Sequence, residues 1–243
     1  MRETDRIIDN YAEEMAQRLR ELIRIPSVKD NPLPGAPFGE NIKKALDYTL
    51  SLCNELGLET QNVDGYAGYA QISGEKKEQL GVLCHLDVVP AGDGWIHPPY
   101  EGGMENGVIY GRGTVDDKGP AISAIYALKA LKAAGVKFKR TPRLIFGCDE
   151  ESGWECMDYY ADKIGMPEMG FSPDADYPII NTEKGIYHAQ LKKKLPGNGK
   201  YRLSIHGGTR ANVVPDLAQA HIEGNIDKLA ETLLDYNCSE NGL

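Results

Sequence analysis

Two short apolar runs, LGVLC at Leu80–Cys84 and RLIFGC at Arg143–Cys148, each stop at chemistry-bearing side chains: His85 and Asp87 after the first, Glu150 and Glu151 after the second. Runs of this length, bounded by polar turns, read as buried strands. Charged side chains beside buried strands are costly unless they are paired or bind a cation, so several of them at strand ends suggest one shared site. Between the two runs, GRGTVDDKG adds Asp116 and Asp117. The pattern looks like a metal centre.

The rest of the chain alternates helix and strand signals. Ile7, Ile8, Tyr11, Met15, Leu19, Leu22 and Ile23 recur at helical spacing before Pro26, which predicts one helix over residues 4–24. A Pro- and Gly-rich loop, Lys29 to Gly39, leads to a second helix over 40–56 with Gly57 beyond its end. Strands follow near 59–63 and 69–72, then a polar turn SGEKKEQ before the first apolar run. MENGVIYGRG reads as a hairpin, 120–134 as a helix ending at Gly135, 155–163 as another, and FSPDADYPIIN as a loop with a short strand. This order predicts an α/β fold with an open, mostly parallel sheet flanked by helices. Ligands of such sheets bind beyond the carboxyl ends of the strands, where His85 and Glu150–Glu151 sit. From Gly185 the texture changes: YHAQLKKKL, YRLSIHGG and QAHIEGN read as strands and 226–236 as a short helix, so a domain boundary is expected near Gly185.

Composition narrows the function classes. With 27 Lys+Arg against 36 Asp+Glu the net charge is −9, and no basic run offers a nucleic-acid surface. No apolar run approaches the roughly 20 residues that span a bilayer, and the N-terminus is charged throughout, so neither secretion nor membrane insertion is expected. Cys53, Cys84, Cys148, Cys156 and Cys238 lack CxxC spacing and read as reduced thiols, so a cytoplasmic location is expected.

Several candidate site residues have two readings. His85 is a satisfied structural histidine or a metal ligand; in the second case Asp87, two residues on and on the same side of an extended segment, orients the imidazole. Asp116 and Asp117 cap the helix that follows, or Asp116 bridges two cations while capping accounts for Asp117. Glu150 and Glu151 supply charge near a helix N-terminus, or divide the labour: one binds metal while its neighbour takes a proton from the attacking water and passes it to the leaving nitrogen. Asp174 starts a turn after Pro173, or joins the carboxylate set. His97, His188, His206 and His221 are expected to be structural.

Taken together, HLDVVPAGDGW, GRGTVDDKGP, DEESGW and FSPDADYPIINTEKG, in this order across residues 80–185, resemble the dinuclear zinc aminopeptidase, carboxypeptidase and aminoacylase superfamily, nearest its peptidase V type dipeptidases. The resemblance implies that His85 binds one zinc ion, Asp116 bridges two, and Glu151 and Asp174 bind one each. It further implies that Asp87 supports His85, that Glu150 is the general base and acid, that the Asp116–Asp117 peptide is cis, and that Asn212 faces substrate. Residues 1–185 would be the catalytic metal-binding domain, incomplete, and 186–243 the start of an α+β lid domain. Members of this branch are much longer: they return from the lid to finish the sheet and supply a last histidine ligand, and a lid histidine stabilises the oxyanion. Neither has a counterpart here, so the chain looks like the N-terminal half and the isolated 243 residues are expected to be impaired.

The resulting expectation is a metal-dependent dipeptidase acting on dipeptides or small amides, with no nucleic-acid or membrane partner. An N-acyl amino acid deacylase or desuccinylase would use the same centre, and a short inactive chain is the non-enzymatic alternative. Ligand type allows Mn2+, Co2+ or Ni2+ in place of zinc. Oligomeric state is not readable.

Overall fold

The computed structural model describes residues 3–176, 180–182, 184–185, 187, 189–192, 201–208 and 217–224. Two compact units make up the chain, Met1–Ile180 and Asn181–Leu243. Of the expected features, Asn212, His188, Cys238 and the helix over 226–236 lie outside the described residues.

The first unit opens with two helices, α1 (Glu3–Asp9) and α2 (Ala12–Ile23), where periodicity alone predicts one. The break falls at Asn10, a residue whose side chain competes for backbone hydrogen bonds and favours turns. Tyr11 then packs on Tyr126 with ring centroids 5.9 Å apart, and the Lys129 ammonium lies 3.9 Å over the Tyr11 ring. Then come α3 (Glu40–Glu55), β1 (Glu59–Val63), β2 (Ala67–Gln71), β3 (Lys76–His85), the hairpin β4 (Gly103–Glu105) and β5 (Val108–Tyr110), α4 (Lys118–Ala133), β6 (Arg140–Gly147), α5 (Glu155–Lys163) and β7 (Met169–Phe171). Gly57, just past α3, takes φ 74°, the left-handed conformation that ends helices.

Five strands form an open sheet in the order β1-β2-β6-β3-β7. β1, β2 and β6 pair antiparallel, whereas β6, β3 and β7 run parallel. β6 is buried from Thr141 to Gly147, as a central strand covered on both faces must be. One face carries Gly68, Ala70, Leu144 and Phe146; a side chain at Gly68 would collide with Leu46 and Leu50 of α3. The opposite face carries Tyr69 and Arg143, which meet Tyr160 of α5. The core joins these layers through Leu46, Ile122, Ile125, Tyr126, Phe146 and Tyr160.

Strand register decides where the chemistry emerges. In the parallel β3–β6 pair His85 lies opposite Gly147, so Asp87 and the Asp149–Glu151 segment leave the same edge of the sheet at the same level. Leu86 N–H extends the pairing to the Gly147 carbonyl at 2.9 Å. β7 aligns Phe171 with Val82, which brings Ser172–Asp174 out beside the end of β3. The second unit contains the antiparallel pair β8 (Tyr201–Gly207) and β9 (Ala218–Gly224). Among the described residues no helix is long and apolar enough to cross a membrane.

α4 starts unusually close to the loop before it: a Cβ at Gly119 would lie 2.0 Å from the Thr114 carbonyl oxygen. Neither backbone can give way without moving the turn that carries Asp116. Gly119→Ala is therefore expected to cost about 1–3 kcal/mol, read by urea denaturation; an unchanged midpoint would contradict this packing.

Candidate active site

His85 ends β3 and its side chain is 3% exposed. Its backbone N–H donates to Asp117 Oδ2 at 2.9 Å. Nδ1 lies 2.9 Å from the Asp87 carbonyl oxygen, which can only accept, so Nδ1 carries a proton. Nε2 points the other way, 2.9 Å from Asp116 Oδ1, 3.4 Å from Asp174 Oδ2 and 4.0 Å from Glu150 Oε2. An imidazole with acceptors at both nitrogens is an imidazolium or a metal ligand. Burial pulls the His85 pKa down, but hydrogen bonds with Asp116, Asp174 and Asp87 outweigh it and hold the ring well above its ordinary value.

The carboxylates reach this point from separate segments. Asp116 sits in the loop before α4, at a peptide bond to Asp117 that is cis, as the resemblance implies. Its hydrogen bond to His85 lowers its pKa, against partial burial. Asp174 follows β7, where Ser172 Oγ donates to the Leu83 carbonyl at 2.8 Å and accepts from Asp174 N–H at 3.4 Å. His85, Asp116 and Asp174 each offer one ligand atom, all within 4.8 Å of one another. Tetrahedral zinc with bonds of about 2.0–2.1 Å sets its ligand atoms roughly 3.3 Å apart. His85 Nε2 stands 2.9 and 3.4 Å from the Asp116 and Asp174 carboxylates, close to that separation, so one buried imidazole and two carboxylates could hold a divalent cation.

Glu150 and Glu151 lie in the turn between β6 and α5. Asp87 holds both: its Oδ1 accepts from Glu150 N–H at 3.1 Å and its Oδ2 from Glu151 N–H at 3.0 Å. The same carboxylate stands 3.5 Å from His85 Nδ1, so Asp87 links the imidazole to the glutamate turn. Burial raises the pKa of Glu150, with Asp174, Glu151 and Asp87 adding to the rise and His85 opposing it. Glu151 is likewise raised, by burial first and then by Asp116 and Asp87, against His85 and a hydrogen bond from the Val89 backbone.

Some roles are not evident from sequence. Asp117 occupies the position before α4 without making a side-chain cap, contrary to the capping expectation; its carboxylate turns instead to the His85 amide. Its Oδ1 is buried without a hydrogen-bond partner, and burial raises its pKa to about 7. Lys118 is fully buried, donating to the Leu22 and Ile25 carbonyls at 3.1 and 2.7 Å, and burial lowers its pKa to about 7 against the pull of Asp87. Lys29 reaches Asp149, 0% exposed, at 2.7 Å. His97, expected to be structural, stacks on Tyr110 at 4.0 Å, while His206 and His221 belong to the β8–β9 pair.

The sequence matches the model of peptidase family M20/M25/M40 over residues 81–236, more than half of the chain. It is 45% identical over 218 residues to "Putative dipeptidase YtjP" of Bacillus subtilis (strain 168), covering 87% of this chain and 47% of that protein. The chain thus spans about half the length of the curated relatives it matches. Among solved structures, human carnosine dipeptidase 1 superposes with a TM-score of 0.60 at 24% identity, over 70% of this chain and 40% of that one, and shares the fold. The di-peptidase Dug1p of Saccharomyces cerevisiae gives 0.56 at 25% identity, over 66% and 37%.

Asp87 is the joint between imidazole and glutamates. Asp87→Ala would strip two N–H groups of their acceptor at once, a loss of about 1–3 kcal/mol for each donor left unpaired. Urea denaturation should show a fall of this order; an unaltered midpoint would contradict the two hydrogen bonds.

Proposed function

The chain belongs to peptidase family M20/M25/M40, and on that premise we propose that it carries the metal centre of a cytoplasmic dipeptidase. The observation that supports this best is the convergence of His85, Asp116 and Asp174 with Glu150 4.0 Å from the same ring nitrogen. In this reading His85, Asp116 and Asp174 would hold one divalent cation, and Asp116 together with Glu151 would hold a second. Zinc suits the nitrogen and oxygen donors, with Mn2+ or Co2+ as alternatives. Bound there, the cations would lower the pKa of water and polarise the scissile carbonyl.

The protein residues then have separate tasks. Asp87 fixes the imidazole through the Nδ1 side and the glutamate turn through its carboxylate. Glu150 accepts the proton of the attacking water and returns it to the departing amine nitrogen, so that one carboxylate serves as base and then acid. Burial prepares Glu150 for this exchange by making its proton easier to keep. Asn212 is assigned a substrate contact by family likeness alone. Turnover is assigned to a protein of the relatives' length; the 243 residues alone are expected to have much reduced or no activity.

Glu150→Gln removes the proton acceptor with little change in size. It should lower kcat by about 10²–10⁴-fold while metal content, measured by elemental analysis, stays at the wild-type level. Ordinary activity in this variant would exclude Glu150 as the base. A substrate panel separates the chemistries: faster hydrolysis of N-acetyl or N-succinyl amino acids than of dipeptides would make the protein a deacylase instead.

A further inference from the structure

We propose that Lys29 and Asp149 form a positioning pair that holds the Glu150–Glu151 turn in place. The functional consequence rests on Glu150 and Glu151 acting as proposed above, whereas the pairing itself does not.

Asp149 is the first residue of the turn and is completely buried. Its Oδ2 accepts from Glu155 N–H, at the start of α5, at 3.2 Å. Its backbone carbonyl accepts from Gly153 and Trp154 N–H at 3.2 and 2.8 Å. One residue thereby closes the whole loop from β6 to α5, with Trp154 held at φ 63°. Asp87 grips the same loop from the other side, at the two glutamate amides. The glutamates are therefore suspended between two buried carboxylates.

Only one of those carboxylates has a lysine as its direct partner. Among the described residues, Lys29 is the one cationic side chain in an ion pair with Asp149, through Oδ1 at 2.7 Å. A buried carboxylate without a counter-charge is strongly unfavourable. Without Lys29, Asp149 Oδ1 loses its partner and the carboxylate is free to turn toward water, away from Glu155 N–H, which loosens the turn. Lys29 comes from the segment after α2, with its ammonium 5.1 Å over the Phe38 ring, and its side chain is 37% exposed. Replacing it removes a charge without opening the core. Lys29 is thus a positioning residue, acting on the glutamates through Asp149.

The test compares Lys29→Met, Lys29→Arg and the double variant Lys29→Met/Asp149→Asn by residue-resolved amide hydrogen exchange on the 243-residue chain. Lys29→Met should speed exchange at Glu150, Glu151 and Glu155 by about ten-fold or more, while Leu144 and Phe146 in β6 stay within about two-fold of wild type. Arginine should restore slow exchange. The double variant should also recover, because a neutral amide needs no counter-charge and still accepts from Glu155 N–H. In a protein that turns over dipeptides, Lys29→Met should lower kcat about ten-fold with KM unchanged. Unchanged exchange at Glu150 and Glu151, or an equal rise along β6, would overturn the pair as a positioning device. A wild-type protein of full length without dipeptide turnover would instead defeat the functional reading, leaving the exchange data to decide the pair.

Discussion

Crowding of carboxylates around one buried imidazole is the constraint on which the rest of this structure depends. Asp116, Asp174 and Glu150 each approach within 4.0 Å of His85 Nε2, and Glu151 stands in the same turn as Glu150. Like charges gathered around one point oppose one another, so the cluster favours positive charge at its centre. A protonated ring meets part of that need. A divalent cation, held by His85 with Asp116 and Asp174, would meet more of it.

The sheet makes this crowding geometrically inevitable. Parallel pairing of β3 with β6 sets His85 opposite Gly147, and parallel pairing of β7 with β3 delivers Asp174 to the same edge. No loop has to travel far. Polar groups then lock the arrangement: buried Asp117 holds the His85 amide, exposed Ser172 ties the β7 exit to Leu83, and buried Asp87 spans imidazole and glutamates. All of these ties but the side-chain contact of Asp87 with the imidazole engage a backbone group, so the directions of the site side chains are set largely by the main chain.

Much of this is legible in the sequence because strand ends are. Apolar runs that stop at His85 and at Asp149 announce both buried strands and their functional exits, and the helix over 155–163 has the bounds that periodicity gives. Elsewhere local patterns mislead for physical reasons. β3 extends back to Lys76 through a stretch that reads as a polar turn, since exposed strand residues pair through the backbone and need no apolar side chains. Parallel pairing is confined to β6, β3 and β7, because the short connections from β1 to β2 and from β2 to β3 each reverse the chain, which sets β2 against both β1 and β6. The Lys29–Asp149 pair joins residues 120 positions apart, and no spacing rule reaches that far. Asp117 misleads in the opposite way: its place before α4 suggests a cap, but the buried amide of His85 is the stronger claim on its carboxylate.

Metal soaked into crystals of the chain addresses the central claim most directly. With Mn2+ or Zn2+ present, an anomalous difference map should place a peak about 2 Å from His85 Nε2, bonded also to Asp116 and Asp174. A map with no peak there, or with its strongest peak on other side chains, would contradict the account.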